Sequence, residues 1–343
     1  MLALRKIAAA PGLWLDEISE PRAGPGDVLL EVMAAGICGT DLHIADWSGG
    51  YEAMAAAMPV TLGHEFVGRV RHFGEGTDGI AVGTRVVVRP SVVCRRCERC
   101  RAGRAEDCTT RTGIGIGRNG GFAALAAVPA ENCVALPDEL DDAVAALAEP
   151  MTVSTEAVDT GGVKPGDTVL VIGPGTIGQG AALAAEMAGA ARVVVAGRND
   201  AIRLAAVEAL GFPETVDTAG TTLRAALARS GLPVSYDVII EAAGAPAAVP
   251  EAIDLLALRG VLVICGIHPS PVPIDLTALV RRHQQIRGSY RSPLATWPRV
   301  IALMAAQQER IRRMISEEVP LSAGLDAFAK ASRRAASKIV LRP

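Results

Sequence analysis

Residues 167–189 read DTVLVIGPGTIGQGAALAAEMAG: an apolar run, a turn carrying Gly173, Gly175 and Gly178, and an Ala-rich helical stretch. Few patterns restrict a fold as tightly, because G-x-G-x-x-G at a strand-to-helix turn has meaning only inside a βαβ unit. The first glycine allows the tight turn, the second lets backbone approach a pyrophosphate, and the third lets helix and strand pack closely. Backbone N–H groups at the helix N-terminus then face phosphate. Further apolar runs follow at RVVVAG (192–197), YDVIIEAAG (236–244) and GVLVICGI (260–267), with Ala-rich segments between them. Strands alternating with helices in this way predict an α/β fold, a doubly wound parallel sheet forming a Rossmann dinucleotide-binding domain over residues 151–290.

The chain has 343 residues, more than one hydrophobic core usually supports. Residues 1–150 have a different texture, with short β-branched runs broken by turn residues: DVLLEV (27–32), FVGRVRHFG (66–74), TRVVVRP (84–90) and FAALAAVP (122–129). They predict a separate β-rich domain. Residues 291–343 hold one helical stretch, TWPRVIALMAAQQERI, and close on ASKIVLRP, a short strand able to return to the first domain. Acidic residues exceed basic ones by 37 to 34, a net charge of −3 that draws the chain toward neither nucleic acid nor an anionic membrane. A small-molecule partner is expected. No basic, apolar leader opens the sequence and no uncharged run reaches membrane-spanning length, so the expected compartment is the cytoplasm.

That expectation bears on SVVCRRCERCRAGRAEDC (91–108), which holds four of the seven cysteines at spacing C-x2-C-x2-C-x7-C. A disulfide knot and a metal knuckle compete for this pattern, and a reducing compartment favours the metal. Cys94, Cys97, Cys100 and Cys108 supply the four thiolates that close a tetrahedral structural Zn²⁺ site. The neighbouring Arg95, Arg96, Arg99 and Arg101 would offset its negative charge. A second, scattered set lies in the same domain: Cys38, Thr40 and His43 in AGICGTDLH, His64 and Glu65 in GHEFVG, and Glu149 in LAEPM. Singly each has a structural explanation. Together they form a mixed sulfur, imidazole and carboxylate set that suits Zn²⁺ with a position left open for water or substrate.

The strand after the glycine turn should distinguish NAD from NADP. An acid at its end accepts hydrogen bonds from the ribose 2′-OH, whereas an NADP site drops that charge and offers arginine to the 2′-phosphate. Here the strand ends VVVAGRND, with Gly197 and Arg198 where the acid is expected and Asp200 two residues later. This favours NADP, with Arg203 as a second phosphate contact. The other reading leaves Arg198 solvated and turns Asp200 back to the ribose.

GICGTD, GHEFVG, the four-cysteine segment, AEP, GPGTIG, CGI and the final KIVL occur in one order along nearly the whole chain. In this the chain resembles the zinc-dependent medium-chain alcohol dehydrogenases, in the branch of the sorbitol and threonine enzymes. The resemblance implies a GroES-like catalytic domain joined to the Rossmann domain, with one catalytic and one structural zinc per chain. It makes Cys38, His64 and Glu65 the catalytic zinc set, with Glu149 as an alternate or water-mediated ligand. It makes Thr40 and His43 the proton relay, and sets Ile177, Gly266 and Ile267 against the cofactor. The reaction implied is hydride transfer between a secondary alcohol and NAD or NADP.

GICGTDLHIADW is close to threonine 3-dehydrogenases, but the chain departs from them elsewhere. Ala124 and Leu125 stand where an acid and an aromatic are usual, and Glu156 stands where histidine is usual. A polyol, sugar alcohol or cyclic alcohol is therefore the preferred substrate class, with Trp47, Tyr51, Glu156, Tyr290 and Arg291 as pocket positions. Three alternatives stand beside it: a threonine dehydrogenase, an NADPH-dependent carbonyl reductase, and a non-catalytic dinucleotide-binding protein. Members of the family form homodimers or homotetramers, often through the edge of the Rossmann sheet, and GVLVICGI is the expected edge strand.

Overall fold

The computed structural model describes residues 1–77 and 79–343. The chain folds into two compact units, Met1–Glu149 with Pro293–Pro343, and Pro150–Ser292. Among the described residues no helix is long and apolar enough to cross a membrane.

The first unit is built on a seven-stranded sheet. Its order is Cys133–Ala135, Arg85–Val88, Glu65–Phe73, Asp27–Gly36, Lys338–Arg342 and Ile315–Pro320, with Leu125–Pro129 also paired to Asp27–Gly36. Asp27–Gly36 is the hub, antiparallel to three partners. Its register sets Gly36 opposite Glu65 on one side and opposite Val340 on the other. The C-terminal strand therefore brings residue 338 to a place that residues 36–65 also reach. The core beneath holds Leu4, Val28, Leu30, Phe66 and Phe122, and the Phe122 ring meets Phe328 edge-on with centroids 5.8 Å apart. The expected single helix of the last segment divides into Thr296–Ala306 and Gln308–Ile311. Gln307, at φ −118° and ψ 18°, has left helical geometry and breaks the run.

The second unit is a six-stranded sheet, parallel throughout. Its order is Thr215–Asp217, Arg192–Gly197, Thr168–Ile172, Tyr236–Glu241, Leu256–Ile264 and Gln285–Gly288. The order reverses between Thr168–Ile172 and Tyr236–Glu241, and ligands of such sheets lie in the crevice at the carboxyl ends of the strands flanking that switch. The strand in GVLVICGI corrects one expectation, because Leu256–Ile264 is interior, paired on both sides. The edge on that side is Gln285–Gly288, where all but Arg287 are exposed.

Candidate metal centres and nucleotide cradle

Cys38 is the N-cap of the helix Gly39–Ala45, and its backbone N–H donates to Asp41 Oδ2 at 3.0 Å. Asp41 is wholly buried, and its other oxygen lies 3.4 Å from His64 Nδ1. A carboxylate behind a histidine is the arrangement that orients imidazole toward a metal, since the partner of one ring nitrogen decides what the other can do. On the adjacent strand Glu65 is 1 % exposed and forms an ion pair with buried Lys338, whose ammonium also donates to the carbonyl of Ile37 at 2.8 Å. Gly36 must lack a side chain here, because a Cβ would sit 2.5 Å from Glu65 Oε2 and 2.9 Å from Lys338 Cε.

Ligand atoms of Cys38, His64 and Glu65 lie within 4.8 Å of one another. Burial, with the Glu65 charge beside it, pushes the Cys38 thiol up. Burial works against the His64 cation, yet Asp41 and Cys38 drive its pKa well above the usual value. The donor types fit zinc. Glu149 lies outside this group of three, at the start of the helix Ala148–Gly161, and burial pushes its carboxyl up to about 7. Thr40 and His43 lie three residues apart on the Cys38 helix, so they share a face. His43 is exposed, with Nδ1 3.2 Å from Ser48 Oγ.

Motif reading missed Asp41 and Lys338. The i to i+3 spacing of Cys38 and Asp41 was available as a capping signal. Lys338 had only its charge in an apolar run to mark it.

The cysteine segment forms a compact lobe. All four sulfurs lie within 4.8 Å of one another, with Cys94 to Cys100 at 4.0 Å and Cys97 to Cys108 at 3.9 Å. A tetrahedron with zinc–sulfur bonds of about 2.3 Å has edges of about 3.8 Å, so these gaps fit a shared ion. They are far longer than a disulfide bond of about 2.05 Å. Backbone N–H groups of Cys94 and Cys97 donate to the sulfurs of Cys108 and Cys94 at 3.4 and 3.3 Å. Hydrogen bonds from Thr110 and from the backbone of Arg96 and Cys97 bring Cys94 down to about 5, and backbone bonds at Cys100 and Thr109 bring Cys97 down to about 7. Burial and the Cys97 side chain push Cys100 up to about 12. Two thiols are thus disposed toward thiolate, the ligating form. Of the arginines expected to balance the cluster, Arg95 pairs with Glu131 and also feels the charge of Cys100.

Substituting Cys108→Ser should lower bound zinc from two ions per chain to one and reduce the melting temperature, by about 2–4 °C for each kcal/mol lost. Metal analysis beside thermal unfolding checks this. Unchanged zinc and unchanged melting would remove the lobe's assignment.

In the second unit, Gly173 ends the strand Thr168–Ile172 at φ +110°, a conformation suited to glycine. A Cβ on Gly178 would sit 1.8 Å from the Gly173 carbonyl oxygen. At Gly175, the N-cap of the helix Thr176–Met187, a Cβ would meet nothing within 4 Å. Close packing at two glycines and open space at the middle one is the form of a phosphate cradle. Ile177 is half-buried and its carbonyl accepts from Ser154 Oγ at 2.9 Å. Gly266 is pressed against Gly244, and Ile267 is exposed.

Gly197 ends its strand beside Pro174, and Arg198 is exposed, its side chain making no hydrogen bond or ion pair among the described residues. Asp200 is buried and holds Arg203 at 3.3 Å. Arg203 therefore turns to Asp200 rather than standing free for phosphate, and Asp200 is not swung out toward a ribose. Of the expected pocket positions, Trp47 and Tyr51 pack against the core of the first unit, and Lys6 lies over the Trp47 ring at 5.2 Å. Glu156, Tyr290 and Arg291 belong to the second unit, where the Arg291 guanidinium stacks on the Tyr290 ring at 4.3 Å.

Two family models match the chain: alcohol dehydrogenase GroES-like domain over residues 24–138, and zinc-binding dehydrogenase over residues 176–306. The chain is 33% identical over 342 residues to an L-threonine 3-dehydrogenase of Mesorhizobium japonicum, covering 99% of this chain and 98% of that one. Among solved structures it is similar to a chain of Sinorhizobium meliloti 1021 described as a zinc-binding dehydrogenase and bound to NADP. That match has TM-score 0.88 and 31% identity, covering 100% and 99% of the two chains. It is also similar to 2R,3R-butanediol dehydrogenase of Bacillus subtilis, with TM-score 0.87, 28% identity and coverage of 100% and 99%.

Proposed function

Because the chain belongs to the zinc-dependent medium-chain alcohol dehydrogenases, in the branch of the threonine and sorbitol enzymes, we propose that it oxidises a secondary alcohol of a polyol, sugar alcohol or cyclic alcohol with NADP as acceptor. It is an NAD(P)-linked oxidoreductase acting on CH–OH donors. The observation that carries the reading is the set of half-buried Cys38 with buried His64 and Glu65, three donors of zinc-ligating type within reach of one ion.

Zinc held there supplies Lewis acidity, which brings hydroxyl deprotonation toward neutral pH, and nicotinamide supplies the two-electron acceptor. The chain's own side chains manage the rest. Thr40 accepts the proton of the substrate hydroxyl while releasing its own hydroxyl proton toward His43, which passes it to solvent. Ser48 steadies the ring at 3.2 Å. Asp41 and Lys338 hold the His64 and Glu65 side chains in place. The butanediol enzyme supports a diol or polyol as substrate class, and Glu156 at a position where threonine dehydrogenases carry histidine supports it over threonine.

The test is nicotinamide reduction across a panel of polyols, cyclic alcohols and threonine, before and after chelation. Activity on a polyol that chelation removes and zinc restores is the expected result. Complete inertness with tight dinucleotide binding would favour a non-catalytic binding protein.

Exposed Arg198 beside Gly197, together with the NADP-bound relative, supports NADP over NAD. Arg198→Asp should raise KM for NADP by about tenfold or more, the worth of one charge-assisted bond to phosphate, with KM for NAD little changed. A wild-type preference for NAD would defeat this assignment. We also propose cytoplasmic residence, supported by seven free cysteines, and a homodimer or homotetramer assembled on the exposed edge Gln285–Gly288.

A further inference from the structure

The strand Tyr236–Glu241 ends in a carboxylate with no exposure to solvent. Glu241 Oε1 accepts the backbone N–H groups of Ala243 and Ala245 at 2.9 and 3.3 Å, and Oε2 lies 3.0 Å from His268 Nε2. Its own carbonyl accepts from Cys265 and Gly266 at 2.8 and 3.1 Å. One residue thus ties the loop after its own strand to the loop after Leu256–Ile264. The first loop also abuts the glycine turn, since a Cβ on Gly173 would be 3.0 Å from the Ala242 carbonyl carbon and the Ala243 nitrogen.

These loops line the switch point of the sheet, where such folds bind their ligands. A carboxylate only accepts, so His268 Nε2 is the donor of that pair, and Nδ1 of the neutral ring is left as an acceptor. Nδ1 is buried and has no partner among the described residues, while the side chain as a whole is 14% exposed. Leaving a buried acceptor unmatched is costly, and such atoms persist where something else completes them. We infer that His268 is a cofactor-contacting residue whose Nδ1 accepts an N–H of the nicotinamide carboxamide, Glu241 fixing the proton of its ring on Nε2.

The sheet order selects that group. A dinucleotide carries amino N–H donors at both ends, on adenine and on the carboxamide, and it spans the switch point. Gly197 and Arg198 lie on the side of Thr168–Ile172 that the adenosine half would occupy. His268 follows a strand on the opposite side, where the nicotinamide half belongs. The inference rests on the second unit being a dinucleotide-binding domain.

The experiment compares NADPH with its 3-acetylpyridine analogue, in which a methyl group replaces the carboxamide nitrogen and the carbonyl is kept. Wild-type protein should bind NADPH about three- to tenfold more tightly than the analogue, the worth of one hydrogen bond. His268→Phe should bind the two equally. In ¹⁵N-histidine spectra of the wild type, NADPH should move the His268 Nδ1 resonance and the analogue should not, a measurement that stands even where the variant fails to fold. A His268→Phe protein that keeps the wild-type preference, or an Nδ1 resonance that answers both molecules alike, overturns the inference. Wild-type protein that binds neither molecule overturns the domain reading instead.

Discussion

Cys38→Ser protein should fold, carry one zinc per chain in place of two, and lose about a thousandfold or more of kcat/KM. Folding survives because the helix Gly39–Ala45 is held by the Cys38 backbone N–H on Asp41, a bond that leaves the side chain out. The core of that unit is built elsewhere, from residues such as Leu30, Phe66 and Phe122. Metal is lost because a serine hydroxyl stays protonated near neutral pH, whereas zinc takes an anionic sulfur, and His64 with Glu65 alone is a poor site. The size of the rate loss follows from Lewis acidity, which moves the ionisation of bound water from about 15.7 to about 7. Metal analysis, circular dichroism and steady-state turnover on one preparation check the three parts. A folded variant with one zinc and wild-type turnover would show that the chemistry does not need the Cys38 set.

Signals confined to one short stretch were legible before the structure. The cysteine lobe and the glycine cradle each carry their chemistry within a few consecutive residues, so spacing alone exposes them. Partnerships made by strand register were not. Glu65 and Lys338 are 273 positions apart, and they meet because Gly36 pairs with Glu65 on one side and Val340 on the other. The edge strand was misplaced for a reason that pattern could have supplied. VLVI is apolar at consecutive positions, which suits burial on both faces, whereas QIRG holds a single apolar side chain and is mostly exposed, as edges tend to be. Arg203 is a local case that charge counting missed, since it lies three residues after Asp200, the N-cap of its helix, and pairs with it.

Lys338→Met should destabilise the zinc-free first unit by about 3–5 kcal/mol, the usual cost of breaking a buried ion pair from one side. Lys338 and Glu65 are 2% and 1% exposed, so the carboxylate left behind has lost its ion-pair partner where water cannot replace it. The Ile37 carbonyl loses its donor in the same step. Although burial alone opposes the ammonium, Glu65 and Cys38 raise the Lys338 pKa above its ordinary value, which fits an ammonium held charged by its neighbours. The charge pair, rather than the lysine's packing, is then what the substitution removes. Adding Glu65→Gln to Lys338→Met should recover at least half of the loss, because two neutral groups carry no uncompensated charge. Denaturant unfolding of chelated wild type, both single variants and the double variant makes the cycle. If Lys338→Met lies within about 1 kcal/mol of wild type, or if the two losses simply add, Lys338 is not what keeps the Glu65 carboxylate stable at the candidate site.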